Sequence, residues 1–100
     1  MLTSKQRAYL KSLASQEDTI LMVGKAGLTD EIITQSRKAI EARELVKGKV
    51  LETSSDSAKD VARSIADAIK AEVVQVIGAK FVLYKRNDKE PKIILPKRKK

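Results

Sequence analysis

A chain of 100 residues has room for one domain and a modest core, with about 60–65% of the unfolded surface buried. It carries 21 basic and 13 acidic residues, a net charge of +8, and neither cysteine nor histidine. Disulfides, thiol nucleophiles, the usual zinc ligands and a histidine general base are therefore excluded. The charge is uneven: residues 1–79 hold 12 basic and 11 acidic groups, residues 80–100 hold 9 and 2. Such a field draws in a polyanion, either nucleic acid or an anionic membrane, or serves solubility alone. The apolar run Ile20–Val23 is far too short to span a bilayer. Lys5, Arg7 and Lys11 break up the first 13 residues, so no signal-peptide hydrophobic region is expected and the cytoplasm is the expected location.

In chain order, Thr3 and Gln6 have capping-box spacing and open a first helix, continued by Tyr9, Leu10 and Leu13. Arg7 and Lys11 share one face of it. Gln16-Glu17-Asp18 is a polar loop. Thr19–Val23 is expected to be a strand buried on both faces, because both of its faces are apolar. Gly24-Lys25-Ala26-Gly27 is a tight loop. Thr29 caps a second helix, Asp30 and Glu31 suit its positive end, and the helix ends near Arg43 or Glu44. Its inward stripe is Leu28, Ile32, Ile33, Ser36, Ala39 and Ile40.

Leu45–Leu51 alternates as a strand, with Val46, Gly48 and Val50 on one face and Lys47 and Lys49 on the other. Ser57 and Asp60 cap a third helix, whose face Ala58, Val61, Ala62, Ile65, Ala66 and Ile69 is the clearest in the chain. Val73–Ile77 and Phe81–Lys85 form an antiparallel hairpin around Gly78-Ala79-Lys80. Strands joined through helices are expected to be parallel. Lys92–Leu95, between Pro91 and Pro96, fits a short edge strand or a loosely packed arm, and residues 97–100 a disordered basic tail.

Chemistry has few places to sit. Glu17-Asp18, Asp30-Glu31 and Asp88 with Glu90 suit caps and surface charge better than acid–base work. Ser54, Ser55 and Ser57 have no histidine to activate them. Lys25 lies in a glycine loop, but the P-loop spacing is absent. In Gly24–Gly27 two positions lack a Cβ where a ligand backbone would approach, Lys25 adds a cation, and the following helix offers N–H groups to a phosphate. KH domains clamp nucleic acid with such a loop, although theirs joins two helices. Taken alone, the four residues fit a simple tight strand-to-helix turn better than a ligand loop. Lys47 and Lys49 would be costly to bury unpaired, so their face is a plain basic edge or a phosphate-contacting surface. Only Tyr9, Phe81 and Tyr84 are aromatic. Phe81 and Tyr84 fall on opposite strand faces, so at most one ring is free to stack, and Tyr84 is expected to be partly buried with its hydroxyl at the edge.

Several ordered segments together resemble the YhbY family, the stand-alone bacterial CRM (chloroplast RNA splicing and ribosome maturation) domains. They are Thr3-Ser4-Lys5-Gln6-Arg7 with Leu10 and Leu13, Val23–Thr29, Glu44–Lys47, Val74–Gly78, Val82–Arg86 and Lys92–Pro96. One departure is Lys70-Ala71, in a stretch where members of the family often carry a glycine. The resemblance implies a compact α/β (α+β) domain, order α-β-α-β-α-β-β, with a four-stranded mixed sheet packed with helices. The implied fold resembles the C-terminal domain of translation initiation factor three.

It also implies noncatalytic RNA binding through the glycine loop and basic surface, on ribosomal RNA in precursors of the large ribosomal subunit. The expected RNA-binding residues are Gly24, Lys25, Ala26, Gly27, Lys47, Lys49, Lys85 and Arg86. The domain would span residues 1–96, and a monomer is expected, with no enzyme activity, cofactor, metal, small-molecule substrate or membrane. Two other readings stay open: a general nucleic-acid-coating protein of the Alba type, and a protein-interaction module on the ribosome.

Overall fold

Each helix starts where the sequence supplies an acceptor for its first free amides. A computed structural model describes residues 2–54, 56–87, 89 and 93. In helix α1 (Ser4–Ala14) both halves of the Thr3–Gln6 box are made, at 3.1 and 3.0 Å. Thr29 accepts from the Ile32 amide at the start of α2 (Asp30–Arg43), and Ser57 from the Asp60 amide at the start of α3 (Ala58–Ile69). Such caps are worth about 1 kcal/mol each.

The strands are β1 (Thr19–Val23), β2 (Leu45–Val50), β3 (Glu72–Ile77) and β4 (Lys80–Tyr84). They form one mixed sheet in the order β1-β2-β4-β3. β1 and β2, joined through α2, are parallel; β2–β4 and β4–β3 are antiparallel. The fold is therefore α+β in the expected element order. Gly78 takes φ 56 in the two-residue turn between Ile77 and Lys80.

Strand alternation divides the apolar residues between two layers. Leu21 and Val23 of β1, Val46 and Val50 of β2, and Phe81 and Leu83 of β4 are buried beneath α2 and α3. All six residues of the expected α3 face are buried there with Ile40 of α2. On the other side α1 buries Leu10 and Ala14 against Leu45, Val74, Val82 and Tyr84. Fully burying one such aliphatic side chain contributes about 1.5–3 kcal/mol.

Two expectations about burial need correction. β1 is not covered on both faces: Leu21 and Val23 are buried, whereas Ile20 is 38% and Met22 55% exposed. β1 is an edge strand, and α1 packs on β2, β4 and β3. Tyr84 is not partly buried but 4% exposed, inside the α1 layer.

Arg7 crosses from α1 to β3, where its guanidinium donates to the carbonyls of Val73 and, at 3.0 Å, Val74. The β3–β4 register slips between Val73 and Gln75, so Arg7 supplies donors to backbone acceptors where the ladder is irregular.

Glu44 ends α2 in a left-handed backbone (φ 63, ψ −35) and is fully buried. Its carboxylate accepts from the Asn87 and Ile93 amides at 2.6 Å each, and its carbonyl from the Lys85 amide at 2.9 Å. Of the expected segment Lys92–Leu95 only Ile93 is described; it packs against the α1 layer. The expected tail, residues 97–100, lies outside the described residues.

Lys70 closes α3 at φ 59, ψ 45, the left-handed region that favours glycine. This is the Lys70-Ala71 stretch singled out in the sequence. Relief of backbone strain, less the extra freedom glycine gives the unfolded chain, should let Lys70→Gly stabilise the fold by about 0.5–1 kcal/mol. A urea midpoint that does not rise would contradict this account of the turn.

Candidate nucleic-acid interface

β1 runs straight into the glycine loop. The Leu51 amide donates to the Val23 carbonyl at 2.8 Å, fixing the strand end to the residue that follows β2. The Gly27 amide then donates to the Gly24 carbonyl at 2.9 Å, and Gly27 takes φ 70, where a side chain would strain the backbone. Leu28 packs against the α2/α3 core and anchors the loop's far end. Lys25 and Ala26, between these fixed points, are exposed. A Cβ on Gly24 would lie 3.6 Å from Leu51 Cδ1, an ordinary contact, so internal packing does not itself demand glycine there.

The amides after the loop are less available than expected. The Leu28 amide donates to Asp56 Oδ2 at 3.3 Å, and the Ile32 amide to Thr29 Oγ1 at 3.2 Å. Asp30 and Glu31 place two carboxylates in the first turn of α2. Asp56 thus takes the place a phosphate oxygen would occupy at the Leu28 amide, and the groups left exposed at this end are the loop backbone and Lys25.

The eight expected site residues do not form one cluster. Gly24–Gly27 lies at the C-terminal end of β1, and Lys49 is next to it in the sheet, opposite Met22. Lys85 and Arg86 follow β4, which runs antiparallel to β2, so they lie beside Glu44 at the other end of the sheet. The length of β2, about 17 Å for six residues, separates the two groups.

Lys47 lies between them, and its ammonium donates to the Ala14 carbonyl at the end of α1 at 3.3 Å. Lys85 does the same for Ile69 at the end of α3, at 3.0 Å. Cations at helix C-termini stabilise the orphan carbonyls and the dipole there, so both lysines have a role in the fold. Lys80 went unrecognised in the sequence because it was assigned to the hairpin turn. It is the first residue of β4 and pairs with Lys49. A two-residue turn at Gly78-Ala79 would have put it in the strand, but its neighbour on β2 depends on a pairing distant in sequence.

The rings offer little for stacking: Phe81 and Tyr84 are 1% and 4% exposed, and Tyr9, on α1, is 39% exposed. Among the described residues no group of three or more acidic side chains is placed to hold a metal ion, and no helix is long and apolar enough to cross a membrane.

Comparison with known proteins points in one direction. The family model for the CRS1 / YhbY (CRM) domain matches residues 2–85. The chain is 41% identical over 96 residues to the Bacillus subtilis protein named "Probable RNA-binding protein YqeI", covering 96% of this chain and 100% of that one. It is 35% identical over 97 residues to a Haemophilus influenzae protein named "RNA-binding protein", covering 97% of each. The solution structure of the Staphylococcus aureus protein SAV1595 matches with a TM-score of 0.79 and 41% identity, over 96% of this chain and 100% of that one.

Proposed function

Because the chain belongs to the CRS1/YhbY (CRM) domain family, we propose that it is a noncatalytic RNA-binding protein of the cytoplasm. Its target is ribosomal RNA in precursors of the large ribosomal subunit, and its role is to aid their assembly. The observation that carries the reading is the glycine loop: Lys25 and Ala26 stand exposed between two held ends, with Lys49 and Lys80 in the adjoining sheet. A loop fixed in this way meets a sugar–phosphate backbone at little cost in ordering. Its lysines gain affinity by releasing counterions. The scarcity of exposed rings favours backbone contact over base stacking.

The test is the double substitution Lys25→Asp, Ala26→Asp, titrated against a structured fragment of large-subunit ribosomal RNA. Affinity should fall at least about tenfold, and the slope of log K against log salt should flatten by about 1. Unchanged affinity and slope would refute the loop assignment. Competition by duplex DNA separates this reading from general coating of nucleic acid, since a coating protein would be displaced equally by both. Crosslinking in cells followed by sequencing would place the protein on the precursor RNA or scatter it elsewhere.

A further inference from the structure

Among the described residues, the α1 side of the sheet is only partly covered. Lys47 marks where the helix stops, since it holds the last carbonyl of α1. One residue pair further toward the glycine loop, strand pairing sets four residues in a row: Met22 opposite Lys49, Lys49 opposite Lys80, and Lys80 opposite Ile77. Alternation puts all four on the α1 side, because their neighbours Val23, Gly48 and Phe81 face the other layer. Met22 is 55% and Ile77 61% exposed, the two most exposed large hydrophobic side chains among the described residues.

This row is costly as it stands. Two lysines on the central strands face each other directly, which destabilises a sheet, and neither flanking residue is a carboxylate. The next row, Thr19, Lys47, Val82 and Gln75, contains none either and adds a third lysine. At each edge of the positive strip lies an exposed apolar side chain. A groove of about 210 Å³ continues from the row beneath the end of α1, lined by Lys11, Ser15 and Gln75 among others.

We infer that this uncovered face carries an extended single-stranded segment of the RNA that the glycine loop grips. Phosphates lie on Lys49 and Lys80, and ribose and base faces lie against Met22 and Ile77. The inference rests on the proposed RNA-binding function and adds the class of RNA. Charge complementarity selects a polyanion. The two apolar flanks select an unpaired strand, because a duplex presents phosphates and hydroxyls outward while a single strand offers the faces of its bases. Continuity selects the same molecule that meets the loop: Met22 is two residues from Gly24, and the row crosses the sheet for about 14 Å from there. Aliphatic side chains give contact area without reading base identity, so binding here is tolerant of sequence.

The experiment measures fluorescence anisotropy of labelled RNA at several salt concentrations. The probes are an unpaired mixed-sequence strand of about 12 nucleotides and a blunt duplex of the same length. The proteins are wild type, Lys49→Gln/Lys80→Gln, Met22→Ser/Ile77→Ser and the Asp-Asp loop variant. The lysine pair should lose about tenfold affinity for the single strand and flatten the salt slope by about 1.4, near 0.7 per phosphate released. The apolar pair should lose about three- to tenfold with the slope unchanged. Neither pair should lower the melting temperature, since both sites are on the surface and one change relieves like-charge repulsion.

If the loop variant binds poorly while both face variants bind like wild type, the face is not an RNA surface and suits a protein partner instead, with the loop reading intact. If all three bind like wild type, the loop reading and the inference fall together. If the face variants lose affinity for the duplex as much as for the single strand, the assignment of an unpaired strand is wrong.

Discussion

Glu44→Ala is expected to lower unfolding stability by about 3 kcal/mol and to expose the chain after β4 to protease. Hydrogen bonds to a charged group are worth about 1.5–3 kcal/mol each, and a buried donor left without its acceptor adds its own penalty. The Glu44 carboxylate receives two such bonds, from Asn87 and Ile93, while fully buried. Alanine would remove both bonds, while the strain of the positive-φ backbone is the same with either side chain and cancels from the difference. Glu44→Gln retains the shape but turns an NH2 toward one of the two donors, so its loss should be intermediate. Urea midpoints should therefore fall in the order wild type, glutamine, alanine, with tryptic cleavage at Lys85 and Arg86 rising in step. A midpoint for alanine equal to wild type would mean that Glu44 does not hold this segment.

The second large effect belongs to Gly48. A Cβ there would run into the Phe81 ring at well under van der Waals distance. Phe81 is 1% exposed and packed among the α2/α3 core residues, so the ring has nowhere to move. Gly48→Ala should cost about 3 kcal/mol through overpacking. Phe81→Ala should cost about 3–5 kcal/mol through the cavity it opens. The double substitution should be no less stable than Phe81→Ala alone, a coupling of about 3 kcal/mol, because the clash disappears with the ring. Additive losses would place the conflict at Gly48 elsewhere.

Elements set by neighbours in sequence were legible before the structure. The Thr3–Gln6 box, the Thr29 and Ser57 caps and the six-residue face of α3 all depend on spacings of a few residues. So did the turn at Gly24–Gly27. What depended on distant pairing was not legible. The exposure of Ile20 and Met22 follows from β1 taking an edge position and from α1 packing elsewhere, which the strand's own pattern does not encode. Glu44 was recognised as a helix end, but its task is set by a chain segment more than forty residues away. Lys47 and Lys85 drew attention by charge alone, and the helix carbonyls that they cap come from other elements. Lys85 and Arg86 were grouped with the loop, yet the antiparallel course of β4 carries them to the opposite end of the sheet. Lys80 differs: a hairpin turn one residue shorter than the sequence suggests makes it the first residue of β4, and only the β2–β4 pairing sets it beside Lys49.

Arg7's grip on β3 has a bearing on colloidal behaviour. β3 is an outer strand, and an outer strand is a template onto which another chain can add. With the Val73 and Val74 carbonyls already taken by a guanidinium and the strand irregular at that point, an incoming strand would find its acceptors occupied and its register broken. The stretch beyond, Gln75–Ile77, is too short to nucleate a lasting intermolecular sheet. The residue that fastens the first helix to the sheet thus also blunts this edge against lateral addition of another strand, a safeguard that matters where the same strand carries exposed isoleucine and valine.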